Sequence, residues 1–189
     1  MAINYPLTLP TVTGVRSIEL QASNAVAISR SPFTFASQVH AYSGQMWSAS
    51  LTLPPMKLTA ARQWTAWLTS LRGQYGSFLL GDTSCCQISG TATSAIVNGS
   101  AGDNTVNVTT VGTILAGDMI QISTGADATL HKVLADRSGS GALEIWPALR
   151  KDRASIALTF TNAKGAFRLA SNEVSWSVDE ANIYGISFS

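Results

Sequence analysis

Two histidines, two cysteines and three Gly-Asp pairs are the residues of this 189-residue chain whose types could do chemistry. His40 lies in "SQVHAYSG" and His131 in the strand-like "LHKVLA". Neither belongs to a Gly-x-Ser-x-Gly elbow, a His-Glu-x-x-His pair or a glycine-rich phosphate loop. Each therefore reads as a surface histidine. Cys85 and Cys86 are adjacent, whereas zinc sites space paired thiolates by roughly two to four residues so that both reach one ion. The pair reads as two small residues of a connection. Asp82, Asp103 and Asp118 each follow a glycine and could be calcium ligands or catalytic carboxylates. Gly-Asp is more simply a turn in which the aspartate bonds its own backbone. The expectation is no catalytic residue, no cofactor and no metal, and a protein that is not an enzyme.

One stretch still asks for a function. In "GALEIWPALRKDRASI" (141–156) an apolar strand carries Trp146, stops at Pro147 and breaks into Arg150, Lys151, Asp152 and Arg153, the densest charge in the chain. Proline offers no amide to a ladder, so the strand should end there and the charges should form a turn. These five residues are the candidate contacts with a neighbouring subunit or a surface. An arginine–carboxylate pair could fix register between subunits. The alternative is an exposed Trp146 stacking on a sugar, with Arg150 beside it.

Composition narrows the partners. Charged residues make up 12% of the chain, about half the usual share, and 12 Lys and Arg nearly balance 11 Asp and Glu. A nucleic-acid binder needs a basic excess to neutralise phosphates, so none is expected as a ligand. A polar surface with few charges is cheap to desolvate, which suits a subunit that buries several faces. The opening "MAINYPLTLPTVTG" has no basic segment followed by an apolar run, so no secretion signal is expected. No segment approaches the ~18 apolar residues of a membrane span, so no insertion is expected and the chain reads as soluble.

Strands must position these residues. "MWSASLTL" (46–53) alternates, with Trp47, Ala49, Leu51 and Leu53 on one face. "RSIELQA" (16–22), "AVAISRS" (25–31) and "FTFAS" (33–37) read as short separate strands. "NEVSWSVD" (172–179) and "NIYGISFS" (182–189) read as a closing hairpin. The exception is "TAARQWTAWLTSLRG" (59–73), where Trp64, Trp67, Leu68 and Leu71 form the stripe of an amphipathic helix covering about 60–72. Thr59 is the expected N-cap, Gly73 the expected left-handed terminus, and Arg72 suits that end of the helix dipole.

Aromatic residues divide the chain. Of 15, only Trp146 and Phe160 fall between 86 and 165. Within that interval Gly/Asp turns separate "TVNVTT", "MIQIS", "LHKVLA", "ALEIW" and "SIALTF", the pattern of a small antiparallel barrel or sandwich. "GSFLLGD" (76–82) leads out and "GAFRLAS" (165–171) leads back, as for a domain inserted in a loop.

"YPLTLP", "GQMWSASLTLPPM", "WTAWLTSLRGQYGSFLLGD", "LAGDMIQIS", "LEIWPALR" and "GAFRLA", in this order over nearly the whole chain, resemble the distal tail proteins of long-tailed bacteriophages, prophages and gene-transfer particles. The resemblance implies a mainly β protein: a ring-forming β-sandwich with one packed α-helix, interrupted by a small inserted antiparallel β-barrel. Residues 1–84 and 166–189 would form the ring domain, with Trp47, Trp64, Trp67 and Trp176 in its core. Residues 85–165 would be the barrel on the outside of the ring. The implied partners are further copies of the chain, usually six, then the tail tube, the hub and the receptor-binding proteins. The implied location is the tail tip of the virion, after synthesis in the host cytoplasm. The chain ends at "GISFS", so a large carbohydrate-binding extension is not expected. The alternative function is attachment to a cell-surface glycan through the barrel.

Overall fold

A computed structural model describes residues 3–82 and 87–189, and Cys85 and Cys86 lie outside the described residues. The protein is mainly β, with one α-helix and a closed six-stranded antiparallel barrel.

The chain opens with two long strands, β1 (Ser17–Arg30) and β2 (Ser37–Thr52), paired antiparallel from Ser17↔Thr52 to Arg30↔Ser37. The two strands expected at 16–22 and 25–31 are one. What reads as a break is a bulge, where the register steps from Asn24↔Gln45 to Val26↔Ala41. Gly44 allows the close approach there, since a Cβ on it would lie 3.0 Å from that of Ala25. The expected strand 33–37 is the turn between β1 and β2. Pro32 brings no amide, and the Ser31 hydroxyl accepts from Phe33 N (3.3 Å) and Thr34 N (3.4 Å). Phe35 takes a left-handed φ of 54°.

Beyond its base this hairpin is a two-stranded ribbon, because β15 (Ile183–Phe188) pairs with β2 only at Thr52 and Leu51. Except for Ser31, every residue from Asn24 to Gly44 is exposed. The hairpin is an arm.

β3 (Met56–Lys57) pairs with β15 and runs straight into α1 (Leu58–Ser70). The expected N-cap at Thr59 is therefore inside the helix. The cap is Lys57, held extended by its strand pairing, and it makes no side-chain cap hydrogen bond. The helix ends earlier than 72: Leu71 caps it, and both Arg72 (φ 53°) and Gly73 (φ 65°) are left-handed. A Cβ on Gly73 would meet Asn172 Oδ1 at 2.7 Å, so glycine is required there for space as well as for φ.

Trp64, Leu68 and Leu71 are fully buried in one cluster with Leu51, Leu53 and Ile186, and with Phe78 and Leu80 of β4 (Phe78–Leu80). The N-terminal segment straps this core. Trp64 Nε1 donates to Thr13 Oγ1 (2.9 Å), half-buried Trp67 Nε1 to Thr8 O (2.8 Å), and Tyr5 OH to Ser70 O (2.6 Å). β14 (Trp176–Val178) pairs with β15 and completes a five-stranded sheet of order β1-β2-β15-β14, with β3 beside β15. The strand expected over 172–179 is thus shorter, and Trp176 is not a core residue. It stands 46% exposed on β14, the sheet's outermost strand.

The barrel comprises β5 (Ala95–Gly99), β6 (Thr105–Thr110), β8 (Met119–Ile122), β9 (Thr129–Val133), β11 (Gly141–Trp146) and β12 (Arg153–Thr159), closed in the order β11-β6-β5-β12-β8-β9. A minor ladder joins β7 (Thr113–Ile114) to β10 (Arg137–Ser138). Alternate residues such as Val106, Val108, Leu143 and Ile145 fill the interior. Two of the three Gly-Asp aspartates make the expected turn bond: Asp103 Oδ2 accepts from Ser100 N (2.7 Å) and Asp118 Oδ2 from Leu115 N (2.9 Å). Buried Asp118 also accepts at Oδ1 from Ser89 N (2.7 Å), outside its own turn. Leading back from the barrel, β13 (Gly165–Phe167) pairs with β4, which leads out, through Leu80↔Gly165 and Phe78↔Phe167.

Trp64→Ala should lower the unfolding free energy by about 3–5 kcal/mol through loss of packing. Trp176→Ala should cost less than about 1 kcal/mol, as expected at a half-exposed site. Equilibrium denaturation checks both. A comparable loss at Trp176 would contradict its exposed placement.

Candidate functional site

The stretch 146–153 lies where the barrel meets the root of the arm. Trp146 is half-buried rather than exposed. Its ring stands edge-on to Trp47 of β2, with centroids 4.5 Å apart and planes at 90°. Such a pair contributes about 0.5–1.5 kcal/mol beyond area burial. Each indole N–H finds an acceptor across the seam. Trp146 Nε1 donates to Asn24 Oδ1 (2.7 Å), and Trp47 Nε1 donates to Leu130 O (2.9 Å). Gln45 continues the join, its Oε1 accepting from Ala148 N (2.7 Å), and Arg150 reaches Gln45 O at 3.5 Å.

Beneath these polar links lies a small apolar cluster. Met119, Leu130 and Ala163 pack with Leu20 and Trp47 of the arm's root and with Phe167. All four residues of β8 are buried in consequence: Ile120 and Ile122 face the barrel core, while Met119 belongs to the seam. Gln121, also buried, donates to Ser123 O (2.8 Å) and accepts from Lys164 N (2.9 Å).

Apart from Arg150, the charged residues of the run make their contacts within the barrel. Lys151 Nζ lies 2.6 Å from Asp127 Oδ1 with both side chains exposed, and this contact holds the Asp127 carboxyl below its usual range. Water screens such a pair, so it contributes little. Arg153 donates to Asp127 O (3.2 Å), and its Nε is buried without a hydrogen-bond partner. Asp152 Oδ1 accepts from Ala101 N (2.8 Å). The turn role expected for this run fits these contacts. Lys151 and Arg153 meet at Asp127, while Trp146 and Arg150 face the arm.

His131 is not a surface histidine. It is 1% exposed in β9, with Nδ1 2.7 Å from Pro147 O and Nε2 2.9 Å from Thr129 Oγ1. A carbonyl only accepts, so Nδ1 carries the proton and Nε2 accepts from the threonine hydroxyl. Burial lowers its pKa from 6.5 to about 4. The Pro147 carbonyl opposes that shift, and the Arg153 and Arg150 cations add to it. The ring is a neutral strut that holds the corner at Pro147. His40, in contrast, is exposed on the arm.

The site's chemistry is that of a joint. Among the described residues no group of three or more His, Cys, Asp and Glu side chains is placed to hold a metal. Among the same residues no helix is long and apolar enough to cross a membrane. The residues missed from sequence are Asn24 and Gln45 on the facing surface, and Asp127 within the barrel's own turn before β9. The one available signal was Trp47, which shares a strand face with core leucines yet lies at the end nearest the polar run. No protein-family model matches the chain, and no curated protein matches it.

His131 makes stability depend on pH. Between pH 6.5 and about 4 the unfolded chain binds a proton that the folded chain excludes, so stability falls as pH drops through that window. The whole loss is about 3 kcal/mol. His131→Gln should flatten that part of the profile in denaturation measured from pH 7.5 to 4. An unchanged slope would show that other groups set it.

Proposed function

We propose that the chain is a structural subunit of a phage tail tip, assembling into a ring, by family resemblance of six copies, that joins the tail tube to the hub and receptor-binding proteins. The virion is then its place of work, and its mechanism is association without turnover. The observation that carries this reading is the arm. β1 and β2 are 14 and 16 residues long, against about 5–6 for an ordinary strand. An isolated two-stranded ribbon is marginal in water. This one also exposes Val26 (49%), Ile28 (69%), Val39 (60%) and Tyr42 (58%). Val26, Ile28 and Val39 share one face of the ribbon, and exposed apolar side chains gathered on one face are the mark of an interaction site.

Two further features support the reading. The sheet has unpaired edges at β1 and β14, and β14 exposes Trp176 and Val178. Edges of this kind invite pairing with another chain, and two different edges on each copy allow a head-to-tail ring to close. The few charges keep desolvation cheap. Attachment to a glycan through the barrel has less behind it, because Trp146 lies against Trp47 with its N–H already bonded.

The test is the mass of the purified protein across a wide concentration range, with imaging of whatever forms. A closed ring is expected, alone or on addition of the tail tube and hub proteins. A protein that stays monomeric when concentrated and ignores both partners would overturn the reading.

A further inference from the structure

We infer that the arm tip of one copy seats in the cleft at the barrel–sheet seam of the next copy, with Phe33 and Phe35 as the inserted side chains. The inference rests on the ring reading and names the contact that would build it. Phe33 is 92% exposed and Phe35 71%, in the uncharged stretch "SPFTFAS". The turn that carries them is held by two backbone bonds, Ser31 N to Ala36 O and Phe35 N to Ser31 O (both 2.9 Å), besides those to the Ser31 hydroxyl. The rings are thus presented on an ordered support, which reduces the entropy lost on docking.

The receiving surface is on the same chain. A cleft of about 470 Å³ opens between Trp47, Leu130, Pro147, Phe167 and Leu169, with Arg168 at the same wall. An apolar cavity of roughly 150 Å³ is enough to hold benzene, so two phenyl rings fit this one. Among the described residues no carboxylate side chain lines the cleft. Arg168 is committed to Gln74 O and Tyr75 O, but Arg150 also lines the cleft, and a guanidinium beside an aromatic face is favourable.

A copy cannot fill its own cleft. Trp47 lines it, and the tip lies at the far end of the same ribbon, beyond the eight residues of β1 from Ala22, opposite Trp47, to Arg30, about 26 Å at roughly 3.3 Å per residue. A tip and a cleft so separated on one molecule make a heterologous contact, the type that closes rings. Two buried phenylalanines supply roughly 300–500 Å² of contact. Ile28 and Val39 on the adjoining ribbon carry it toward the ~800 Å² per partner of a stable interface.

The test combines assembly with cross-linking. Phe33→Asp with Phe35→Asp should leave the melting temperature unchanged, because the tip is exposed, and should weaken self-association at least a hundredfold. Ala170→Trp, which fills the cleft from its exposed wall, should do the same. A photoreactive phenylalanine analogue at position 33, in isotopically unlabelled protein mixed with labelled protein, should link to labelled peptides from 128–130 or 165–170. If the wild type assembles and the double aspartate variant assembles equally well, the arm contact is overturned and the ring reading stands. Cross-links to the tube protein alone, or to another face of the copy, also overturn it. A wild type that never associates, with or without partners, removes the ring reading and this contact together.

Discussion

β8 has no free face, and the arrangement of the molecule follows from that. In a closed barrel each strand turns one side to the core and the other to water. Here the outer side of β8 is covered as well, by the arm's root, so one strand serves as a wall shared by two packed regions. A buried outer face needs every polar group satisfied, and Gln121 meets that demand with one bond given and one taken. The shared wall fixes the barrel against β2, and β2 is the strand that becomes the arm.

The short crossings of the seam are made by neutral groups. Indoles, amides and backbone carbonyls supply them, exposed Arg150 adds only a 3.5 Å contact to Gln45 O, and the Lys151–Asp127 ion pair stays on one side. Neutral partners avoid the penalty of drying an ion, which a joint of this modest size could not offset. His131 follows the same logic from within, kept uncharged by its surroundings and committed through both nitrogens.

Much of this architecture is legible in the sequence. The alternation of 46–53 and the Trp64, Trp67, Leu68, Leu71 stripe report local periodicity, and tertiary packing agrees with both. The turn bonds of Asp103 and Asp118 are equally local, while the bond from Ser89 N to Asp118 is not. The failures are of another kind. The bulge at Asn24 and Gly44 breaks the spacing of a strand without ending it, so one strand reads as two. "FTFAS" has strand composition, but Pro32 and the Ser31 hydroxyl turn it into a loop. "AIVNG" is too short an apolar run to announce β5. Burial of His131 and exposure of Trp176 depend on what lies opposite each residue, and a single chain's pattern contains no record of that. For the same reason the sequence offered Trp146 as a contact with a neighbouring subunit or a surface, and gave no sign of its partner within the chain, Asn24, 122 positions away.

The pairing of β4 with β13 has one more consequence. The chain leaves toward the barrel at Leu80 and returns at Gly165, and these two residues are ladder neighbours. The entropy of closing an excursion grows only slowly with its length, and here the ends are already held together. Chain closure therefore penalises the number of residues between those two points only weakly. The β4–β13 pair works as a clamp: barrel loops can change in length without pulling on the sheet, whereas the strands that cover Leu20 and Trp47 at the seam cannot be lost without baring them.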